Sequence, residues 1–141
     1  MDIELTITQK ILSIYIEDLA KELIEILGSK SIGKIRYGVG CERENSIVGN
    51  ISYTPYGDPE EESIEALLKI IVRGKTLTIN TDICWSDGEI IKEINPETLT
   101  YRKISDMSQK LKIAWEIISP QIREKMISLI NLNLSPRYRK D

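Results

Sequence analysis

The sequence predicts an α+β fold, an antiparallel β-meander of four to five strands packed by an N-terminal helix and a C-terminal helical segment. Apolar residues recur at helical spacing near both ends of the chain and alternate with polar residues through the middle. Glycine-containing turns separate the alternating segments, which is typical of strands joined by hairpins. At 141 residues the chain has the length of a single domain. We expect this domain to span residues 1–134, with a loose basic tail at residues 135–141.

The first predicted element is a helix from about Ile7 to Leu27. Thr8 is expected to cap its start, and Gly28 is expected to end it in a left-handed turn. Residues 11–16 are apolar on nearly every side, which predicts burial against more than one neighbour, within the domain or in a second copy of the chain. The apolar side chains that recur at helical spacing are Leu12, Ile16, Leu19, Ala20, Leu23 and Leu27.

The middle of the chain is predicted to be rich in β-structure. The clearest strand is residues 77–85, where apolar and polar residues alternate strictly. This alternation places Trp85 in the core and Asp82 and Cys84 on the other face. Asp87-Gly88 then predicts a tight hairpin turn. The candidate strands are Gly33–Cys41, Ile47–Thr54, Ile64–Val72, Leu77–Trp85 and Glu89–Ile94.

Two segments leave alternatives open. Asp58-Pro59 followed by acidic residues is a good helix start, and residues 60–72 fit either a helix or a strand. The run at residues 70–72, next to a tight turn, favours a strand. Near the end, helices are expected at about Asp106–Ile118 and Pro120–Leu132, so that Ser119-Pro120 either kinks one helix or caps a second.

The composition excludes several kinds of chemistry. The chain has no histidine and two cysteines, which removes imidazole-based triads and dyads and any four-ligand zinc site made of thiolate and imidazole. We expect no cofactor, and reduced thiols at Cys41 and Cys84 in a cytoplasmic protein. An acidic start at residues 1–4 and the absence of a long apolar run argue against a signal peptide and a membrane span. The net charge of −3 lowers the expectation of nucleic-acid binding.

Three local patterns suggest rival activities. Residues 28–34 match the spacing of a phosphate-binding loop, but Ile35 stands where serine or threonine is needed, and a helix precedes a strand instead of following one. A calcium-binding module is one alternative function, with candidate ligands Asp58, Glu60, Glu61 and Glu62. A histidine-free enzyme that uses carboxylates is another, with candidates Asp82, Asp87 and Glu89.

The leading interpretation is a small cytoplasmic interaction or regulatory protein without enzymatic activity. A sheet that is covered by helices on one side leaves its other face to solvent or to a partner. We therefore expect a protein partner, or a homodimer, to bind through the open sheet face or through the isoleucine-rich N-terminal helix. The tyrosines near residue 55 offer rigid contact area with a polar tip. The candidate surface residues are Asn80, Asp82, Cys84, Asp87, Tyr53 and Tyr56.

Overall fold

The computed structural model describes residues 3–28, 33–43, 45–55 and 63–131, so the predicted basic tail lies outside these ranges. The described residues form an α+β fold, which confirms the predicted fold class. None of the helices in these ranges is long and apolar enough to cross a membrane. In chain order the elements are α1 (Ile3–Leu27), β1 (Lys34–Arg43), β2 (Ser46–Thr54), β3 (Ile64–Arg73), β4 (Thr76–Trp85), β5 (Ile90–Thr100) and α2 (Ile104–Asn131).

The five strands form one antiparallel meander in the order β1-β2-β3-β4-β5. The ambiguous segment after residue 63 is strand β3, as the alternation favoured. Gly74 and Gly88 adopt positive φ angles of 58° and 94° in the turns on either side of β4, a conformation that glycine adopts without steric cost. Both turns are short, so each fixes the register between the two strands that it joins.

Strand β5 continues to Thr100, six residues beyond the predicted end at Ile94. The additional residues include Pro96, which cannot donate a backbone hydrogen bond. β5 lies at the edge of the sheet, where the missing donor interrupts no ladder on the outer side. The register with β4 shifts between Ile79 and Thr81, which accommodates the residues around Pro96 in an irregularity.

The core lies between the sheet and the two helices. Alternate residues of β2, β3 and β4 point toward the helices, and α1 packs over β1 and β2 while α2 packs against β5 and α1. Trp85 is 7% exposed, which confirms its predicted place in the core. The fully buried side chains at the centre include Leu12, Ile16, Leu23, Ile47, Ile51, Ile64, Leu68, Ile70, Leu77 and Ile83.

Helix α1 begins at Ile3, a turn earlier than predicted, so the prediction that Thr8 caps it is wrong. The Thr8 hydroxyl lies inside the helix and donates to the Glu4 carbonyl oxygen at 2.7 Å. The next turns are buried on two sides, because the sheet covers one side and α2 the other. On the α2 side, the rings of Tyr15 and Trp115 stack with centroids 5.5 Å apart.

Helix α2 runs without interruption from Ile104 to Asn131, so one helix with Pro120 inside it occurs, and not a second helix that starts at Pro120. Pro120 removes the hydrogen bond that would reach the Glu116 carbonyl four residues earlier. Both residues are exposed, and water can hydrate that carbonyl. The Gln121 side chain also donates to the Ile117 carbonyl at 3.0 Å.

A polar cluster ties the start of α1 to the turn between β3 and β4 and to the residue that follows β5. The Glu4 carboxylate accepts hydrogen bonds from the Tyr101 hydroxyl at 2.8 Å and from the Lys75 ammonium at 3.0 Å. The Glu4 side chain is 15% exposed, so these contacts are partly shielded from water. The hydrogen bond from Tyr101, followed by that from Lys75, lowers the pKa of Glu4 below its ordinary value.

Glu4→Gln is expected to lower the free energy of unfolding by about 1 kcal/mol near neutral pH, the usual net value of one hydrogen bond. A carboxyl group with a lowered folded-state pKa stabilises the protein above the pKa of the unfolded chain, and this contribution disappears as the pH falls through the folded-state pKa. The difference between wild type and Glu4→Gln should therefore shrink in acid. Urea unfolding across the acid range measures it, with the exposed Glu25→Gln as control. A difference that does not change with pH would contradict this role.

Candidate interaction surface

The side chains that point away from α1 and α2 form one broad surface, here called the open face. The strand register aligns them in rows that cross the sheet, for example Gly38, Asn50, Leu67, Asp82 and Glu93. No helix among the described residues packs on this side. The open face comprises Lys34, Arg36, Gly38, Gly40 and Glu42 of β1, Val48, Asn50 and Ser52 of β2, Glu65, Leu67, Lys69 and Ile71 of β3, Thr78, Asn80, Asp82 and Cys84 of β4, and Glu93 and Thr98 of β5.

The end of the open face formed by β4 and β5 is acidic. Asp82 lies directly opposite Glu93, and Glu65 lies directly opposite Cys84. Like charges opposite one another on neighbouring strands destabilise a sheet, so this pairing costs the free protein stability. Among the described residues, neither Asp82 nor Glu93 takes part in an ion pair. A cationic group placed over the two carboxylates would relieve the repulsion.

The acidic end continues into the turn between β4 and β5. One carboxylate oxygen of Asp87 accepts a hydrogen bond from the Glu89 amide at 2.9 Å, which holds the turn. The Trp85 amide in turn donates to the Glu89 carbonyl at 2.9 Å and closes the hairpin. Asp87 therefore has a structural role in the turn and also adds negative charge next to Asp82.

Cys84 lies within this acidic end and its side chain is half-buried. Burial raises the pKa of the thiol above its ordinary value, and the negative charges of Glu65, Asp82 and Asp87 raise it further. A thiol in this setting stays protonated near neutral pH, whereas nucleophilic cysteines require positive surroundings that favour the thiolate. The geometry therefore supports a packing or contact role for Cys84.

We expect the Cys84 thiol to react slowly with iodoacetamide in the folded protein and at least several-fold faster after unfolding in urea, because only the thiolate is nucleophilic. The rate should rise at a higher pH in the folded protein than in the unfolded chain, since the folded-state pKa is raised. The measurement uses the Cys41→Ser variant, so that Cys84 is the sole thiol. Equal rates in the folded and unfolded states would contradict the described environment.

A shallow depression of about 490 Å³ lies at the opposite end of the open face, over β1, β2 and β3. It exists because Gly40 has no side chain to fill the space beside its strand neighbours. Val48 and Leu67 provide an apolar floor, and Glu42 and Lys69 form an ion pair at its rim with an N–O distance of 3.2 Å. An apolar floor with a charged rim suits one aliphatic side chain of a partner.

The structure brings together three of the predicted surface residues, Asn80, Asp82 and Cys84, on one strand of the open face. Asp87 lies beside them in the turn. Tyr53 requires a correction, because it is 0% exposed and belongs to the core. Residue 53 is one of the alternate β2 residues that point into the core. The prediction placed it on the surface because it gave more weight to the nearby turn. Tyr56 lies outside the described residues.

Other members of this surface were not predicted from the sequence. Glu65 and Leu67 alternate with the inward residues of β3, and this period of two became a usable signal only once the segment was known to be a strand. Gly38 and Gly40 stand two residues apart, so both glycines lie on the same face of β1. Glu93 joins Asp82 only through the pairing of β4 with β5.

The rival functions gain no support from the described residues. The proposed calcium ligands Asp58 and residues 60–62 lie outside them, and within them no three His, Cys, Asp or Glu side chains converge as metal ligands would. Of the carboxylates considered for catalysis, Asp82 lies on a strand while Asp87 and Glu89 form the neighbouring turn. The glycine-rich loop has α1 before it and β1 after it, which is the wrong order for a phosphate loop.

The fold and this surface define a class: an α+β domain in which two terminal helices cover one face of a five-stranded antiparallel meander and leave the other face open. Comparison with known proteins adds no relative to this description, since no family model, no curated protein and no solved structure matches the chain.

Proposed function

We propose that this protein is a non-enzymatic interaction protein that binds another protein through its open face. The observation that supports this proposal is the division of the face into an apolar depression at one end and closely spaced carboxylates at the other. Asp82 and Glu93 stay directly opposite each other at a cost in stability, which is the pattern expected where a site serves recognition more than folding.

The partner that fits this surface carries an aliphatic side chain flanked by lysine or arginine. The aliphatic side chain would fill the depression over Val48 and Leu67, and the cations would lie over Asp82 and Glu93. Five strands about 4.8 Å apart and roughly ten residues long present a face of about 20 by 30 Å. That area approaches the roughly 800 Å² that each partner buries in a standard protein–protein interface.

The isoleucine-rich part of α1 is the weaker alternative as a binding surface. Its central side chains Leu12 and Ile16 are buried in the domain's own core, and Tyr15 stacks on α2. Ile14 is left 57% exposed, but single exposed apolar residues are normal on protein surfaces. The open face is therefore the surface that carries the proposal.

The proposal is tested by using the folded protein to isolate its partner and by then measuring the binding of the two purified proteins. Leu67→Arg should abolish binding because it fills the depression with a charge, and Asp82→Lys should weaken it by at least tenfold, since truncating or reversing a buried charge contact commonly costs more than 1.4 kcal/mol. Binding should also weaken with increasing salt, because the acid–base contacts are screened.

Glu25→Lys is the matched control, since it makes the same change of charge at an exposed position of α1, on the opposite side of the molecule. It should bind as the wild type does. Far-UV circular dichroism should show that all three variants are folded. A partner that binds the two open-face variants and the wild type equally would refute the proposal, and so would a partner that is lost only with Glu25→Lys.

A further inference from the structure

Strand β1 is an edge of the sheet that is open to further pairing. Edge strands expose backbone N–H and C=O groups, and proteins commonly protect them with prolines or bulges. The opposite edge, β5, contains Pro96 and two irregularities in its register with β4. β1 contains no proline, and it pairs with β2 without interruption from Lys34 to Cys41, with a register shift beyond that between Cys41 and Arg43. Among the described residues, β1 therefore offers the regular edge to which another strand can be added.

The sequence of β1 is complementary to itself when it is paired antiparallel about Gly38. Gly38 then lies opposite Gly38 of a second copy, and Lys34 lies opposite its Glu42. Both charged side chains lie on the open face, because Glu42 reaches Lys69 there. The two-fold symmetry forms this Lys–Glu pair twice. The Glu42 carboxylate has enough acceptor sites to bind both Lys69 of its own chain and Lys34 of the second copy.

The helix-facing side chains agree with the same register. Centring on Gly38 places Ile35 opposite Cys41 and Tyr37 opposite Val39, so that apolar groups meet apolar groups. A shift of one residue, to a centre at Val39, would place Ile35 opposite Arg43 instead. A centre at Val39 would also pair unlike charges, because Arg36 would lie opposite Glu42, so it is the apolar side chains that favour the centre at Gly38 among the nearby registers.

From this complementarity we propose that β1 pairs with β1 of a second copy of this chain, giving a two-fold symmetric dimer with a continuous ten-stranded sheet. Exposed apolar groups on the helix side lie where such an interface would cover them. Tyr37 is 41% exposed at the edge, and Ile24 is 42% exposed on α1, which packs over β1. In the dimer the two α1 helices lie side by side across the symmetry axis.

The dimer does not depend on the proposed binding of another protein, because it forms through the backbone edge of β1 and is measured on the isolated protein, although Gly40 and Glu42 also line the depression of the open face. The continuous sheet would place two open faces next to each other on one side of the molecule. The two proposals can therefore fail independently.

A site-specific disulfide tests the register. In a Cys41→Ser, Cys84→Ser background, Gly38→Cys should form an intermolecular disulfide under oxidised glutathione, since residues directly opposite on antiparallel strands have Cα atoms about 4.5–5.5 Å apart. Gly40→Cys is the matched control, because it would lie opposite Arg36 of the second copy and far from itself. Both substitutions fit the fold, since a Cβ at residue 38 would meet its nearest atom at 3.7 Å and one at residue 40 would meet none within 4 Å.

Charge reversal tests the same pairing without an added thiol. Lys34→Glu and Glu42→Lys should each raise the dimer dissociation constant about tenfold, because two attractive pairs become two repulsive ones. A mixture of the two variants should recover association, since each chain then meets the opposite charge on the other. Light scattering after size-exclusion chromatography measures the dimer, and circular dichroism checks the fold of each variant.

The proposal is supported if Gly38→Cys crosslinks much faster than Gly40→Cys and the mixed charge variants associate more tightly than either alone. It is overturned if the wild-type chain stays monomeric at all concentrations. Equal crosslinking of the two cysteine variants, or a mixture no tighter than its components, would also overturn it, because a dimer with either result uses another surface.

Discussion

Ile16→Ala is expected to lower the free energy of unfolding by about 2–5 kcal/mol, the usual cost of truncating a fully buried aliphatic side chain. Ile16 is 0% exposed and packs on β2 from the middle of α1. Its removal eliminates apolar contacts and leaves a cavity that the surrounding sheet cannot close completely. Such a loss is a large fraction of the stability of a domain of this size. Urea unfolding followed by circular dichroism measures the change.

Ile14→Ala is the matched control, because it makes the same change on the same helix two residues earlier. Ile14 is 57% exposed, so its truncation removes little buried surface and should change the free energy of unfolding by no more than about 0.5 kcal/mol. Comparing the loss of unfolding free energy in the two variants shows which side of α1 faces the sheet. Similar losses for both variants would mean that α1 faces the sheet with a different side.

Gly49→Val is expected to destabilise the protein by about 1–3 kcal/mol, the usual cost of adding side-chain volume to a well-packed core. A Cβ at residue 49 would lie 3.2 Å from a methyl carbon of Leu12 and 3.3 Å from the Ile16 side chain. A valine brings two further methyl groups into this space, so α1 must move away from β2. The absence of a side chain at Gly49 thus allows the close approach of helix and sheet.

Gly40→Val separates overpacking from the general effect of a valine in a strand. A Cβ at residue 40 meets no atom within 4 Å, so valine there should be neutral or slightly stabilising, because glycine is entropically unfavourable in strands. Thermal unfolding of the two variants alongside the wild type gives the comparison. If Gly49→Val were as stable as Gly40→Val, α1 would not rest on residue 49 as the structure describes.

The candidate surface was only partly predictable, because alternation assigns a residue to a face without identifying its neighbours across strands. The pattern of β4 alone placed Asp82 and Cys84 on the face away from the core. It could not show that Glu93 lies opposite Asp82, or that Gly40 leaves a depression over Leu67. Those juxtapositions depend on the register of three strand pairs, which the pattern within one strand does not reveal.

The sequence by itself determined the order of helices and strands and most of the inward-facing residues, since the periods of two and 3.6 residues are local and the core requires one apolar face on each element. It also determined that imidazole chemistry is absent. Only the tertiary structure decided that β5 continues past Pro96 and that α2 continues past Pro120. A proline inside an element is tolerated more readily where the group that loses its hydrogen bond faces water or lies at a sheet edge. Packing between distant segments settles whether a position is of this kind.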